Sequence, residues 1–444
     1  MYLNCKTYYS FKYGTFSTGA LVQEGLEKGA AALALTNINN TADAWPFVKQ
    51  CRQAGIKPIL GAEIRNGDTL LYILLAATNK GFEWINAFIS TYLKNNEPFP
   101  AATTITSFFN QSSDGYVIYP LGAKPLDTLL RHELVGILPA EVNKLYNLPP
   151  QYRDKCIIRQ PVTFQTEDHY YVHRLLRAMH HNVVESKLPA GAVCDAREYF
   201  VPQQYLLQAF QSVPYIITNT LRLIDACTIE LDFNTHKNKQ YFTISKEDDA
   251  ILLRKLAIDG LQQRYGLHSA ATDRLHKELR VINDLGFTAY FLITWDIIRY
   301  AKSRGFYHVG RGSGANSIVA YCLKITDVDP LELNLYFERF LNPERTSPPD
   351  FDIDFSWLER DEIMDYIFKR YGEKYVALMG AYVTFQQRAV VRELAKVFGL
   401  PDAEIQGLSK MPFVTPWLLK PGKIACTTRL YRRLPQRHCL VPNQ

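Results

Sequence analysis

The chain has no apolar run near the roughly 18 residues needed to cross a bilayer. Its first residues, Met1-Tyr2-Leu3-Asn4-Cys5-Lys6, lack the apolar core of a secretory signal. Its eight cysteines (Cys5, Cys51, Cys156, Cys194, Cys227, Cys322, Cys426 and Cys439) form no CxxC pair and follow no regular spacing. These absences predict a reduced, cytoplasmic protein with incidental thiols and no membrane partner. With 24 glycines and 23 prolines in 444 residues, the composition is neither collagen-like nor low-complexity. The longest stretch without acid is Ile405–Gln444, which contains no Asp or Glu.

That stretch holds seven bases, Lys410, Lys420, Lys423, Arg429, Arg432, Arg433 and Arg437. The formal charge is +6, so residues 1–404 carry −1. The basic balance belongs to the tail, and net charge says nothing about DNA for the body. Hydrophobic residues make up 47% and charged residues 21%, which supports real cores. The length implies two or three domains.

Strand and helix patterns alternate over the first 65 residues. Helix is expected at Ala20–Lys28 and Ala44–Ala54, and strand at Ala31–Leu35, from Pro58 and at Thr69–Ala76. This order implies parallel βα units. Helical pattern returns at Asp168–Ala178, Pro202–Phe210 and Asn219–Ile229. The polar run Leu231–Tyr241 reads as a domain boundary, followed by helices at Asp248–Tyr265, Thr272–Leu285 and Tyr290–Ser303.

Two segments carry chemistry. Gly310-Arg311-Gly312-Ser313-Gly314-Ala315 precedes a helical run, Asn316–Lys324. A glycine turn opening a helix offers unpaired N–H groups to phosphate oxygens, although such turns are also common without a ligand. Ser347-Pro348-Pro349-Asp350-Phe351-Asp352-Ile353-Asp354-Phe355 alternates as a strand. It would place three aspartates on one face, neighbours roughly 6–7 Å apart. Such carboxylates suit a hard cation such as Mg²⁺ shared with phosphates, or they form the solvated face of an edge strand. Between the segments, Arg339 and Arg345 could pair with phosphate or with neighbouring acids. Ser356 and Glu359 form a capping-box pattern for a helix ending near Gly372.

In combination these residues resemble the C-family DNA polymerases, the bacterial DNA polymerase III alpha subunits. The resemblance runs through Asp273–Leu279, Gly286-Phe287, Tyr290–Ile293, Gly310–Ala315, Ala320–Asp327, Phe337–Arg345 and Pro349–Phe355. It implies an α/β architecture, a distorted β/α barrel of PHP type followed by an α+β nucleotidyltransferase palm. The expected domains are 1–232 (PHP-like), 233–381 (palm), 382–411 (start of a thumb) and 412–444 (an atypical tail). It further implies that Asp350 and Asp352 bind two Mg²⁺ ions and are catalytic. Asp354 shares their face without being a ligand. Arg311, Gly312, Ser313, Arg339 and Arg345 would hold the nucleotide. Primer–template DNA, deoxynucleoside triphosphates and replisome subunits are the partners implied.

The PHP-like part departs from the family pattern. By resemblance, an early His-x-His falls on Asn4 and Lys6, a later Asp-His on Asn37 and Ile38, and a late Asp-x-His on Thr220 and Arg222. Only Glu63 remains. A degenerate metal site is expected, as in the error-prone branch, and a phosphoesterase reading is disfavoured. The histidine pair His180-His181 sits in a helical run and reads as surface or core.

The family's third metal-binding aspartate, its fingers and its clamp-binding motif are expected downstream of the first two aspartates and are not met before Gln444. The Mg²⁺ site is therefore expected to be incomplete, and a frameshift or truncation near residue 410 or a short paralogue is expected. Template-directed nucleotidyl transfer is the function implied, with an inactive module that binds nucleotide or DNA as the alternative. With prolines at 412, 416, 421 and 435 and no amphipathic stripe, the tail is expected to be clipped first in limited proteolysis, leaving the body intact. A tail protected as well as the body would refute this.

Overall fold

A computed structural model of the chain describes residues 1–101, 113–235, 238–342, 344 and 349–410. The tail from Pro412, together with Arg345, Ser347 and Pro348, lies outside the described residues. Two compact units are present: Met1–Phe233 with 383–410, and Asn234–Tyr382.

The first unit is built on an eight-stranded sheet. Its strands are β1 (Tyr2–Cys5), β2 (Ala32–Leu35), β3 (Lys57–Asn66), β4 (Thr69–Ala76), β5 (Gly115–Pro120), β6 (Glu133–Ile137), β7 (Cys156–Ile158) and β8 (Pro161–Val162). They lie in the order β7-β6-β5-β4-β3-β2-β1-β8. Pairing is parallel at β8–β1, β1–β2, β2–β3, β5–β6 and β6–β7, and antiparallel at β3–β4 and β4–β5. The parallel βα reading of the opening segment holds for β1 to β3. Asn66 and Thr69 then close a tight hairpin around Gly67, which has φ +56°. Strands such as β2 (ALAL) and β6 (ELVGI) are buried along their whole length, as expected where both sheet faces are covered.

Helices α1 (Thr18–Glu27), α2 (Ala44–Gln53), α3 (Asn79–Asn95), α4 (His169–His181), α5 (Gln203–Ala209) and α6 (Pro214–Ala226) complete this unit. The last begins five residues before its expected start, because Val213-Pro214 places proline at the first helical position, where its missing N–H costs nothing. One core joins Tyr2, Leu33, Phe47, Ile59, Tyr72, Ile118 and Phe210.

The second unit contains α7 (Lys246–Tyr265), α8 (Ser269–Asp284), α9 (Thr288–Ser303), β9 (His308–Arg311), α10 (Ile318–Cys322), β10 (Asp352–Phe355) and α11 (Arg360–Tyr371). Its separate core includes Leu253, Leu275, Phe291, Ile318 and Phe340. Ser245 caps α7 by accepting from the Asp248 N–H. Helix α11 starts at Arg360 without a side-chain cap. The expected capping box is not formed: the Ser356 hydroxyl accepts instead from the Leu358 N–H at 3.3 Å within a turn. Residues 382–411 include α12 (Gln387–Val397) and α13 (Asp402–Lys410). Val397 and Leu394 of α12 pack with Ala178 and Met179 of α4. No single helix among the described residues is long and apolar enough to cross a membrane.

Helix α7 approaches α10 closely at Gly260, where a Cβ would lie 2.1 Å from the Cys322 carbonyl oxygen. Alanine normally favours a helix over glycine by about 1 kcal/mol, but backbone cannot yield to this clash. Gly260→Ala is expected to destabilise the second unit by about 1–3 kcal/mol. Amide exchange across α7 and α10 would accelerate while β2–β4 stay protected. Unchanged exchange would refute the close packing.

Candidate functional site

Strands β9 and β10 form an antiparallel ribbon in which Asp352 faces Arg311, Ile353 faces Gly310, Asp354 faces Val309 and Phe355 faces His308. Alternation sends Phe351, Ile353 and Phe355 toward the core of the second unit and leaves Asp352 and Asp354 on the outer face. Arg311 reaches across this face. Its Nε donates to Asp354 Oδ2 at 2.7 Å, and its Nη1 lies 3.4 Å from Asp352 Oδ2. These two carboxylates hold its guanidinium pKa above the ordinary value, the hydrogen bond to Asp354 contributing most.

The strand is shorter than its alternation predicts. It begins at Asp352, so Asp350 precedes the ladder as an exposed residue. Just before it, Tyr290 of α9 stacks on Phe351 with ring centroids 5.4 Å apart, and its hydroxyl accepts the Phe351 N–H at 3.0 Å.

Immediately after β9, Gly312 has φ +73°, and a Cβ there would meet Asp352 Oδ2 at 2.7 Å. Glycine at this position lets the turn run directly beside the carboxylate. The expected helix from Asn316 is instead a 3-10 turn over Gly312–Asn316, followed by α10 from Ile318 with Ser317 as its cap. A pair on α8, buried Glu278 and half-buried Arg274, holds the turn. Glu278 accepts from Ser317 Oγ at 2.8 Å and from the Val319 N–H at 3.3 Å. Arg274 donates to Glu278 at 3.0 Å and to the Asn316 carbonyl at 2.8 Å. Burial raises the Glu278 pKa against the opposing pull of Ser317, the backbone and Arg274. Sequence alone did not reveal this role, because the partners lie some forty positions away.

The structure therefore brings Arg311, Gly312, Asp352 and Asp354 together. Ser313 follows in the same turn, its carbonyl accepting from Asn316 Nδ2 at 2.8 Å. Arg339 ends a short 3-10 turn, Phe337–Arg339, as an exposed residue. Arg345 lies outside the described residues. A separate cavity of about 610 Å³ in this unit is lined by Lys239, Lys246, Phe287, Tyr290 and Tyr371 among others, and by none of the carboxylates of the ribbon.

In the first unit, Asn4, Lys6, Asn37 and Glu63 gather at one end of β1 to β3. The buried Lys6 ammonium lies 3.0 Å from Glu63 Oε2 and 3.8 Å from Glu198 Oε2. Asn4 Nδ2 donates to Glu63 at 2.7 Å, and Arg65 Nε at 2.5 Å. Asn37 Oδ1 accepts from the Thr7 N–H and the Ser10 hydroxyl, and Ile38 forms a parallel bridge with Glu63. Thr220 serves elsewhere, accepting from the Ile158 N–H at 2.9 Å. Burial would push the Glu63 carboxyl up, but Arg65 and Lys6 beside it hold it down at about 2. Both nitrogens of buried His173 are engaged, by the Tyr13 carbonyl at 2.8 Å and the Cys194 N–H at 3.1 Å. Burial lowers its pKa to about 4. His181 pairs with Asp68 at 3.0 Å. Among the described residues, no three His, Cys, Asp or Glu side chains cluster with metal-site geometry.

Two family models match the chain: the PHP domain over residues 3–119 and the bacterial DNA polymerase III alpha NTPase domain over residues 251–425. An error-prone DNA polymerase of Symbiobacterium thermophilum is 31% identical, covering 98% of this chain and 44% of that protein. A DNA polymerase III subunit alpha of Halalkalibacterium halodurans is 32% identical, with 88% and 38% covered. The Escherichia coli K12 subunit alpha is 29% identical, with 93% and 39% covered. The chain spans about two fifths of the length of these relatives.

The buried ion cluster makes the first unit's stability sensitive to acid. The folded pKa of Glu63 is below its ordinary 4.5. Its stabilisation is therefore complete above that value and is lost as pH falls through about 2. Glu63→Gln is expected to flatten stability between those two values, measured by urea unfolding across the range. Lys6→Met, which leaves a buried carboxylate short of one partner, should cost about 3–5 kcal/mol. A chelator should leave the melting of wild-type protein unchanged; a marked drop would show that this cluster holds a metal.

Proposed function

The chain belongs to the bacterial DNA polymerase III alpha family, and from that premise we propose that its second unit binds a deoxynucleoside triphosphate for template-directed nucleotidyl transfer. The observation that carries this reading is the β9–β10 register, which sets the Gly312 turn and Arg311 directly against Asp352. In the reaction a primer 3′-hydroxyl attacks the α-phosphorus, the bond to the β-phosphate breaks, and pyrophosphate leaves. Primer–template DNA and replisome subunits are the partners this reading implies.

The residue types suit Mg²⁺: Asp352 offers hard carboxylate oxygens beside the Gly312 turn, and Asp350, two positions before it, is the second carboxylate of this reading. Magnesium held there supplies positive charge against the triphosphate and the leaving pyrophosphate. Asp354 is engaged by Arg311 at 2.7 Å, whereas the contact to Asp352 is longer at 3.4 Å. The guanidinium thus neutralises Asp354 first and leaves Asp352 the more available ligand. The exposed face of Arg311 can also take a phosphate oxygen. Gly312, where a Cβ would meet Asp352 Oδ2 at 2.7 Å, and Ser313 after it offer backbone to the phosphates, and Arg339 and Arg345 supply further positive charge. The first unit is read as structural: Lys6 occupies Glu63, the one carboxylate left at the early ligand positions.

Calorimetric titration of the full chain with Mg²⁺ and a deoxynucleoside triphosphate tests the assignment. Each ligand is expected to strengthen the other. Asp350→Asn or Asp352→Asn should weaken joint binding by about ten- to a hundredfold, the scale of one lost charge-assisted contact. Asp354→Asn should matter much less. A damaging Asp354→Asn with a silent Asp350→Asn would show that the pair is misassigned.

A further inference from the structure

The outer face of the β9–β10 ribbon is chemically polarised along its length. At one end lie Arg311, Gly312 and Asp352. At the other, the antiparallel register brings the start of β9 beside the end of β10. Three large side chains flank that end without cover among the described residues: Tyr307 is 87% exposed, Trp357 79% and Leu358 72%. Val309, directly opposite Asp354, is 62% exposed and shares the face of Arg311. An isolated exposed apolar residue needs no explanation. A group at the far end of a carboxylate-bearing ribbon does.

Resting on the nucleotide-binding reading of this ribbon, we propose that Val309 and Tyr307 form the seat for the sugar and base of the nucleotide. From Arg311 to Tyr307 is four residues, about 13 Å of extended strand, the reach of a nucleoside triphosphate laid along it. With phosphates at the Gly312 turn, the sugar falls over Val309 and the base over the Tyr307 ring. An aromatic face accepts any base, because every base has a π-face. The platform therefore adds affinity for nucleosides without selecting among them, and selection is left to the template. Tyr307 makes no ring contact or side-chain hydrogen bond with the described residues, so its ring can adapt to the base.

The test compares a deoxynucleoside triphosphate with inorganic tripolyphosphate, each titrated into the full chain with Mg²⁺. Tripolyphosphate carries the phosphates but no base. The nucleotide is expected to bind more tightly, and Tyr307→Ala to weaken it about five- to tenfold while leaving tripolyphosphate unchanged. Tyr307→Phe should retain the wild-type difference. All four deoxynucleotides should respond alike, and a surface position this exposed tolerates the change without unfolding. Equal affinity of the two ligands, or a nucleotide advantage that survives Tyr307→Ala, would overturn the platform and leave the phosphate site standing. Failure of both ligands to bind would overturn the nucleotide-binding reading, and the platform with it.

Discussion

The antiparallel pairing of β9 with β10 is the constraint on which the proposed site of the second unit depends. Its register alone decides that Arg311 meets Asp352 and that Asp354 meets Val309. A slip of one residue would turn every carboxylate into the core and every phenylalanine outward. The slip is opposed from several sides: Phe351, Ile353 and Phe355 fill the core, and Tyr290 clamps the backbone at Phe351. On the other side, the Gly310 carbonyl accepts from the Thr326 hydroxyl at 3.0 Å. Like charges on adjacent same-face positions would otherwise repel, and Arg311 lies between them to offset this.

The two units handle buried or crowded carboxylates in different ways. On the ribbon, Asp352 and Asp354 share one exposed guanidinium, a weak and solvent-screened arrangement that a ligand can replace. In the first unit, Glu63 is fully buried among Lys6, Arg65 and Asn4. Such a cluster is satisfied internally, and breaking it leaves a charge in low dielectric. The first arrangement is open to exchange with solvent, while the second is closed. That contrast in exposure, more than residue type, separates the proposed binding site from the structural one.

Glu278 shows how a third carboxylate contributes without meeting a ligand. It holds Ser317 and the Val319 N–H, while Arg274 holds the Asn316 carbonyl. The glycine turn is thus fastened from beneath by α8, leaving its outer surface open beside Asp352. A turn free to move would lose much of its value as the proposed phosphate seat, because oriented N–H groups act only when held in place.

Much of this protein is determined by local sequence. The alternation of Asp and apolar residues from Phe351 to Phe355 states which residues face the core, because a two-residue period leaves one solution, and the short apolar run Thr69–Ala76 reads as a buried strand. That Asn4 and Lys6 stand where the resemblance implies histidines was equally legible. The start of β10 at Asp352 was not, nor was the hold of Tyr290, from another helix, on the Phe351 N–H. Nor was the pairing of Lys6 with Glu63, or the fastening of the turn by Glu278. Each depends on partners 39 to 61 positions apart, brought together only when separate elements pack. Periodicity is a property of neighbours along the chain, whereas hydrogen bonds and ion pairs are properties of neighbours in space. Residue identities set what this site can do, and tertiary packing alone decided which of them stand together to do it.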